Sequence, residues 1–509
     1  MSRSAEQANP LVRARPVRWP RYVAAILGLV LVAAAASLWL LTLSGTSGSE
    51  ALTQWRERPP IEIARYLQRR LEGNPRLESL LHPALAGWRA SLEREPPEFL
   101  ADLGKGQREL GLSAALFLNG VPLQARAVAM PTNPSAQVEL LASSGEIALA
   151  VSNAKAGTVL EVLPGSYRIE QSLVTGNAGR AYAPIVLRAR TPGTVQLLVN
   201  TVQAVVVSQP YWIFENLVMR GVCAEHGNCE HAFHVVGRAQ STVIRNNRLV
   251  DFNAHLKVNG EDKHFPDNGL LQFNTLTNTV PRQTDNPTTP VDIVAADGWQ
   301  LLDNRVENFV KAHGNQISYG MFIKGAARYG RIERNLVVCT PRGLAQPGLR
   351  VGISAGGGGT GKAFCRDGAC EAESFDVTVA SNIVAHCSDV GIDVFRGQRT
   401  TVAFNTLVNT LGILVRGDES RAVVSANVIE GRVRAAKGGR AEQRDNLTAD
   451  SLGGIIRAAD ALDMYWMQLP PLVLADEGIP TDFCGIRRPR IGPPGAIVSG
   501  SCTVPTNRP

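Results

Sequence analysis

The sequence predicts an all-β chain wound as a parallel β-helix, and three observations carry that prediction. The first is a phrase that recurs between about Ile213 and Asn446: a short β-rich run, an asparagine, then an aliphatic residue, as in Ile213-Phe-Glu-Asn-Leu217. It returns at Asn247, Asn274, Asn304, Asn335, Asn382, Asn405, Asn427 and Asn446, in steps of 31, 27, 30, 31, 47, 23, 22 and 19 residues. Repeats of this length mark stacked architectures, because one unit cannot bury its own apolar face. The second is the composition of each unit. Thr242-Val-Ile-Arg-Asn-Asn247, Thr401-Val-Ala-Phe-Asn405 and Ala422-Val-Val-Ser-Ala-Asn427 alternate β-branched and polar residues before a turn former. The third is that the repeats hold no amphipathic run long enough for helical units. Coils of a β-helix lie about 4.8 Å apart. Asparagine suits the corner, tolerating left-handed angles and bonding the amides above and below.

The chain has 509 residues, 44% hydrophobic and 6% aromatic, ample for a large core. Its formal charge is +7, and the first 21 residues supply +4 of it through Arg3, Arg13, Arg15, Arg18 and Arg21 against Glu6. The balance permits a polyanionic partner without demanding one, and nothing specifies nucleic acid. The eight cysteines form close pairs at Cys223/Cys229, Cys365/Cys370 and Cys484/Cys502. Cys339 and Cys387 follow Asn335 and Asn382 by four and five residues, so they can meet between neighbouring coils. Four disulfides in an oxidising compartment is the expectation, with zinc at Cys365/Cys370 as the rival.

In chain order, residues 1–21 read as a basic cytoplasmic tail. Tyr22–Leu43 is a 22-residue uncharged run, long enough to span a bilayer and longer than the apolar core of a cleaved signal. With arginines preceding it, a single-pass anchor in the cell inner membrane follows, its C-terminal part periplasmic or otherwise extracytoplasmic. Residues 44–140 read as a linker and a small helical region, with helical spacing at Ile61, Ala64, Leu67 and Leu71 and again from Leu77 to Trp88. Ser143/Ser144 cap a short helix with an apolar face at Ile147, Ala148, Val151 and Ala154, placed to cover the first coil. The β-helix spans 141–450, and 451–509 forms a C-terminal capping segment.

Gly145 to Tyr167, with its Ala156-Gly-Thr158, a strand and Gly165-Ser-Tyr167, resembles the opening of right-handed β-helix proteins related to chondroitinase B and alginate lyases. Thr481-Asp-Phe-Cys-Gly-Ile-Arg487 with Gly495-Ala496 is similar to the tail of many such proteins. The resemblance covers roughly 145–500. It implies a right-handed parallel β-helix and, for the uronate lyases of the fold, abstraction of the proton beside a carboxylate.

The second strand of each coil places the candidate site. Aliphatic positions in His255–Asn259, Val291–Val294, Met321–Lys324, Ile353–Gly356, Ile392–Phe395 and Ile413–Arg416 alternate and point inward. One outward column reads Lys257, Asp292, Phe322, Ser354, Asp393, Leu414; the next reads Asn259, Lys324, Gly356, Phe395, Arg416. This is a groove a few sugar rings long. Glu261–Asp267 and the insertion from Gly356 to Phe375 flank it, and loops on one solenoid face are often the binding face. The glycine run ending at Lys362 is no phosphate loop, since Ala363 follows and no helix does.

An acidic polysaccharide is the partner this face suggests. A neutral lysine, Lys324 first and Lys257 second, is the candidate base. Arg350, Arg396 or Arg416 is the candidate neutraliser of the substrate carboxylate, and Asn259, Asp292, Phe322, Asp393, Phe395 and Arg396 are candidate substrate contacts. Asp292, Asp297, Glu371 and Glu373, with Asp393 beside them, are candidates to hold Ca²⁺. β-Elimination is the leading reading, with C5 epimerisation, glycoside hydrolysis and a non-catalytic envelope scaffold as alternatives.

Overall fold

The computed structural model describes residues 60–71, 75–92, 137–341, 344, 346 and 348–498. The basic tail, the Tyr22–Leu43 run and the rest of 1–59 lie outside the described residues. Among those described, no helix is long and apolar enough to cross a membrane.

The β-helix runs from the Gln137–Leu141 strand to the Leu447–Ala449 strand. Each complete coil contributes a strand to each of three parallel sheets, and partial coils at the two ends make their sizes 12, 11 and 10 strands. Leucine, isoleucine and valine at the inward positions stack into one continuous core, with Trp212, Phe214 and Phe233 in the early coils. The cap helix, α1, is Ser144–Asn153. Ser143 Oγ accepts from Glu146 N, and Glu146 Oε2 accepts from Ala142 N, a reciprocal N-terminal cap. Its buried face is Ile147, Ala150, Val151 and Ala154, a helical stripe. Ala148, expected on that face, is exposed. Two more helices, Pro60–Leu71 and Pro75–Leu92, occupy the predicted helical region.

The asparagine ladder runs from Asn247 to Asn446. Each side-chain oxygen accepts from the backbone amide of the asparagine one coil below, as Asn335 Oδ1 does from Asn304 N at 2.9 Å. Each amide nitrogen reaches the next oxygen above and a carbonyl beneath, as Asn335 Nδ2 does to Asn382 Oδ1 and Leu301 O. Two details differ from expectation. Asn216 aligns with Asn246, not Asn247, so the foot of the ladder is Leu217, whose amide donates to Asn247 Oδ1. The left-handed residue at the corner is the one before the ladder asparagine, for example Phe273, Asp303, Arg334 and Phe404. The ladder asparagines are kept for hydrogen bonding, not for backbone freedom.

Three expected disulfides are present: Cys223–Cys229, Cys339–Cys387 between coils, and Cys365–Cys370, with Cα separations of 5.7, 4.9 and 5.6 Å. Cys365 and Cys370 are therefore not zinc ligands. Cys484 is also disulfide-bonded; Cys502 lies outside the described residues. The described part of the segment after Asp450 ends at Val498. It packs along the flank of the solenoid: Leu452, Ile456, Met464 and Phe483 cover Leu336, Ile383, Val408 and Val428 on the outer face of the second sheet. The last coil carries polar residues at its edge, including Arg440, Glu442 and Arg444.

Candidate functional site

The third sheet builds the face that the strand alternation predicts. Lys257, Asp292, Phe322, Ser354, Asp393 and Leu414 are register partners on successive strands. Gly356, Phe395 and Arg416 align likewise, with Lys324 two residues beyond Phe322.

The face has a half-open part and a closed part. In the half-open part, Lys257 Nζ lies 2.6 Å from Asp292 Oδ2 and Lys324 Nζ lies 3.8 Å from Asp292 Oδ1. Both lysine side chains retain about a fifth of their exposure, and Asp292 is buried between them. Burial alone would push the Asp292 carboxyl up; the two ammoniums more than offset it and hold it below the usual carboxylate range. Lys324 Nζ also sits 4.5 Å over the Phe322 ring.

The closed part lies under the glycine-rich insertion. A Cβ at Gly357 would fall 2.4 Å from the Phe322 ring, and one at Gly358 would fall 2.5 Å from Phe395, so glycine lets the backbone lie on both rings. Phe322 is 5% exposed, and Ser354 and Asp393 are fully buried. These rings are not open platforms for sugar. Tyr319 takes a further side of Phe322, with centroids 4.6 Å apart. Arg416 stacks on Phe395 at 3.9 Å and pairs with Asp393 at 2.7 Å. The groove is shorter than its sequence suggests because the insertion occupies its middle.

Several candidates are committed elsewhere. Arg350 is 1% exposed and donates to the carbonyls of Leu344 and Gln346, so it serves a loop and not the groove. Arg396 donates to the carbonyls of Glu371 and Cys370, anchoring the insertion. Arg366 fastens its other side through Asp267 at 2.7 Å and Asp297 at 3.2 Å. That engages Asp297. Glu373 is fully buried and accepts from Gly325 N, whereas Glu371 is exposed. Among the described residues, the one convergence of three His, Cys, Asp or Glu ligand atoms is Cys365, Asp367 and Cys370, two of them joined as a disulfide. The carboxylates proposed for Ca²⁺ are not brought together, and the residues present do not fit that ion.

Sequence reasoning missed two histidines. The His231–Val236 strand lies one rung below Lys257, with His234 as its register partner. The His231 and His234 rings are 5.1 Å apart. Burial, helped by His234 and Lys257 and opposed by Asp292, pushes the His231 imidazole down to about 3. His234 is lowered too, by burial first and by Lys257. The signal was present: Phe233 and Val235 continue the inward aliphatic columns, so His234 continues the outward one. The Cys223–Cys229 loop hides it by separating this strand from its repeat phrase.

No protein-family model matches the chain, and no curated protein matches it. Solved structures similar to it include three β-helix enzymes. An alginate lyase from a Paenibacillus species is 14% identical over 62% of this chain and 96% of its own, with a TM-score of 0.38. A pectate lyase is 12% identical over 72% and 90%, TM-score 0.44. A mannuronan C-5 epimerase module from Azotobacter vinelandii is 12% identical over 60% and 94%, TM-score 0.38.

Proposed function

We propose that this protein acts on an acidic, uronate-containing polysaccharide by abstracting the proton beside the sugar carboxylate, with β-elimination as the outcome. The observation that carries the reading is the column His234, Lys257, Asp292 on consecutive rungs, with Lys324 closing on the same aspartate. Two ammoniums at a half-open surface can grip and neutralise a substrate carboxylate, which acidifies the neighbouring C–H. Lys324, the leading candidate base from sequence, is ion-paired to Asp292 and stacked on Phe322; both contacts use its positive charge, so gripping the carboxylate is the role assigned to it. C5 epimerisation shares the abstraction and differs in returning the proton to the other face. Hydrolysis is disfavoured: Asp292 and Asp393 are three rungs apart, about 14 Å at the spacing of paired strands, beyond the roughly 10 Å a carboxylate pair tolerates. We further place the protein outside the cytoplasm and anchored by its N-terminal apolar run. The disulfides support the compartment.

The test is the ultraviolet absorbance of unsaturated uronate, followed with a panel of uronate and neutral polymers. Wild type is expected to generate it from a uronate polymer only. Lys257→Gln combined with Lys324→Gln should weaken substrate use at least tenfold, chiefly in KM, while the fold is kept. Equal activity on neutral polymers, or an unaffected double variant, would remove this face from the chemistry.

A further inference from the structure

We propose that His234 is the proton-transfer group of this face and that Asn259 is the positioning residue that fixes its tautomer; the first half rests on the reading above, the second does not. Asn259 Nδ2 donates to Gly260 O at 3.0 Å. Its Oδ1 therefore faces the imidazole, and His234 Nε2 lies 2.7 Å from that oxygen. An oxygen there can only accept, so Nε2 carries the hydrogen. The lone pair is left on Nδ1, which has no partner among the described residues. A neutral imidazole with one nitrogen anchored and the other free is the arrangement a general base needs.

The surroundings agree. His231 on the same strand and Lys257 on the next add positive or neutral neighbours. Glu261, in the loop after Asn259, is the acidic group that faces it. The strand below presents only Val206. Burial and Lys257 thus keep the ring neutral against the pull of Asn259 and Glu261. The other two histidines of this sheet cannot serve. His231 is buried with an unbonded Nδ1, and His255 is wholly enclosed with Nε2 on Thr277 O. Asn259 was an expected substrate contact. Here its oxygen and its nitrogen each hold a bond within the protein.

In the elimination, Nδ1 takes the C5 proton. The C–H electron pair becomes the C4=C5 bond, the C4–O4 bond breaks with its pair on O4, and O4 takes a proton from water. The imidazolium then returns its proton to solvent, so no oxidant or reductant is consumed.

The experiment uses the full chain labelled with ¹⁵N-histidine, examined by NMR across pH and assayed in parallel on the uronate polymer that wild type turns over. Wild type should show His234 as the Nε2–H tautomer. Asn259→Leu should give a mixture of tautomers. Asn259→Asp should keep the tautomer and move both the His234 midpoint and the acid limb of the pH–rate profile upward together. His234→Gln should lose about 10²–10⁴ in rate, with binding within a few-fold. A wild-type Nδ1–H or mixed tautomer overturns the role of Asn259. Full rate in His234→Gln overturns the base and leaves the glycan reading standing. If wild type turns over no uronate polymer, the base assignment falls with that reading, and the tautomer spectra still decide the Asn259 half.

Discussion

Asp292 shows how much a single side chain holds at this site, because two lysines from different rungs meet on it. Its neighbour His231 makes the sharpest residue-scale prediction. That imidazole titrates near 6.5 in an unfolded chain and about 3 in the folded one. Between those values the unfolded state binds more protons, so stability is whole above about 6.5 and drains as pH falls toward 3. Asp292 adds a loss at lower pH, since its depressed carboxyl stabilises the fold only while ionised. His231→Gln should flatten the dependence of unfolding free energy on pH between about 6.5 and 4 and leave the steeper acid loss in place. Urea titrations at a series of pH values measure it; an unchanged slope would mean that the buried imidazole is not what responds. Sequence made Lys257 and Asp292 legible as neighbours, because period-two alternation fixes which residues point out. It could not show that Arg350 turns to a loop carbonyl or that Asn259 turns to His234. Those choices depend on backbone atoms that a side-chain pattern does not encode.

At the scale of elements, the asparagine ladder is the feature read most fully from sequence, and the seat of the insertion the least. The ladder repeats, so one-dimensional spacing reveals it. Its foot was misplaced by one residue because Asn246-Asn247 offers two asparagines where the preceding coil has one, Asn216. The insertion touches Phe322 and Phe395 through single glycines, and no repeat announces such a contact. Within the ladder, cost should follow burial. Asn335 is fully buried and its side chain bonds Asn304 N, Asn382 Oδ1, Leu301 O and Glu333 O. Asn335→Ala strands several of these groups and should destabilise by about 2–4 kcal/mol. Asn446 is only partly buried at the ladder's end, and Asn446→Ala should cost about 1 kcal/mol or less. Chemical denaturation of both variants checks the order; equal losses would show that the ladder does not act through buried hydrogen bonds.

At the scale of the whole molecule, periodicity in sequence became a three-sheet parallel solenoid. The C-terminal segment, where it is described, lies along the flank of the solenoid. Its described apolar residues pair with an outer column of the second sheet, Leu336, Ile383, Val408 and Val428. The sequence shows those outer positions as apolar, but a short repeat with apolar residues on both faces does not reveal which partner covers the outside. The flank so covered leaves the third sheet as the face with lysines, an aspartate and a histidine at its half-open surface. Removal of the proton beside a uronate carboxylate, proposed for this face, leaves a signature in product mass. Mass spectrometry of products formed from a uronate polymer in D₂O reads that signature. Fragments one water lighter than hydrolysis would give, carrying an unsaturated end, are expected from wild type and should be lost in His234→Gln. Fragments of hydrolytic mass, or a polymer returned intact without deuterium at C5, would contradict removal of that proton.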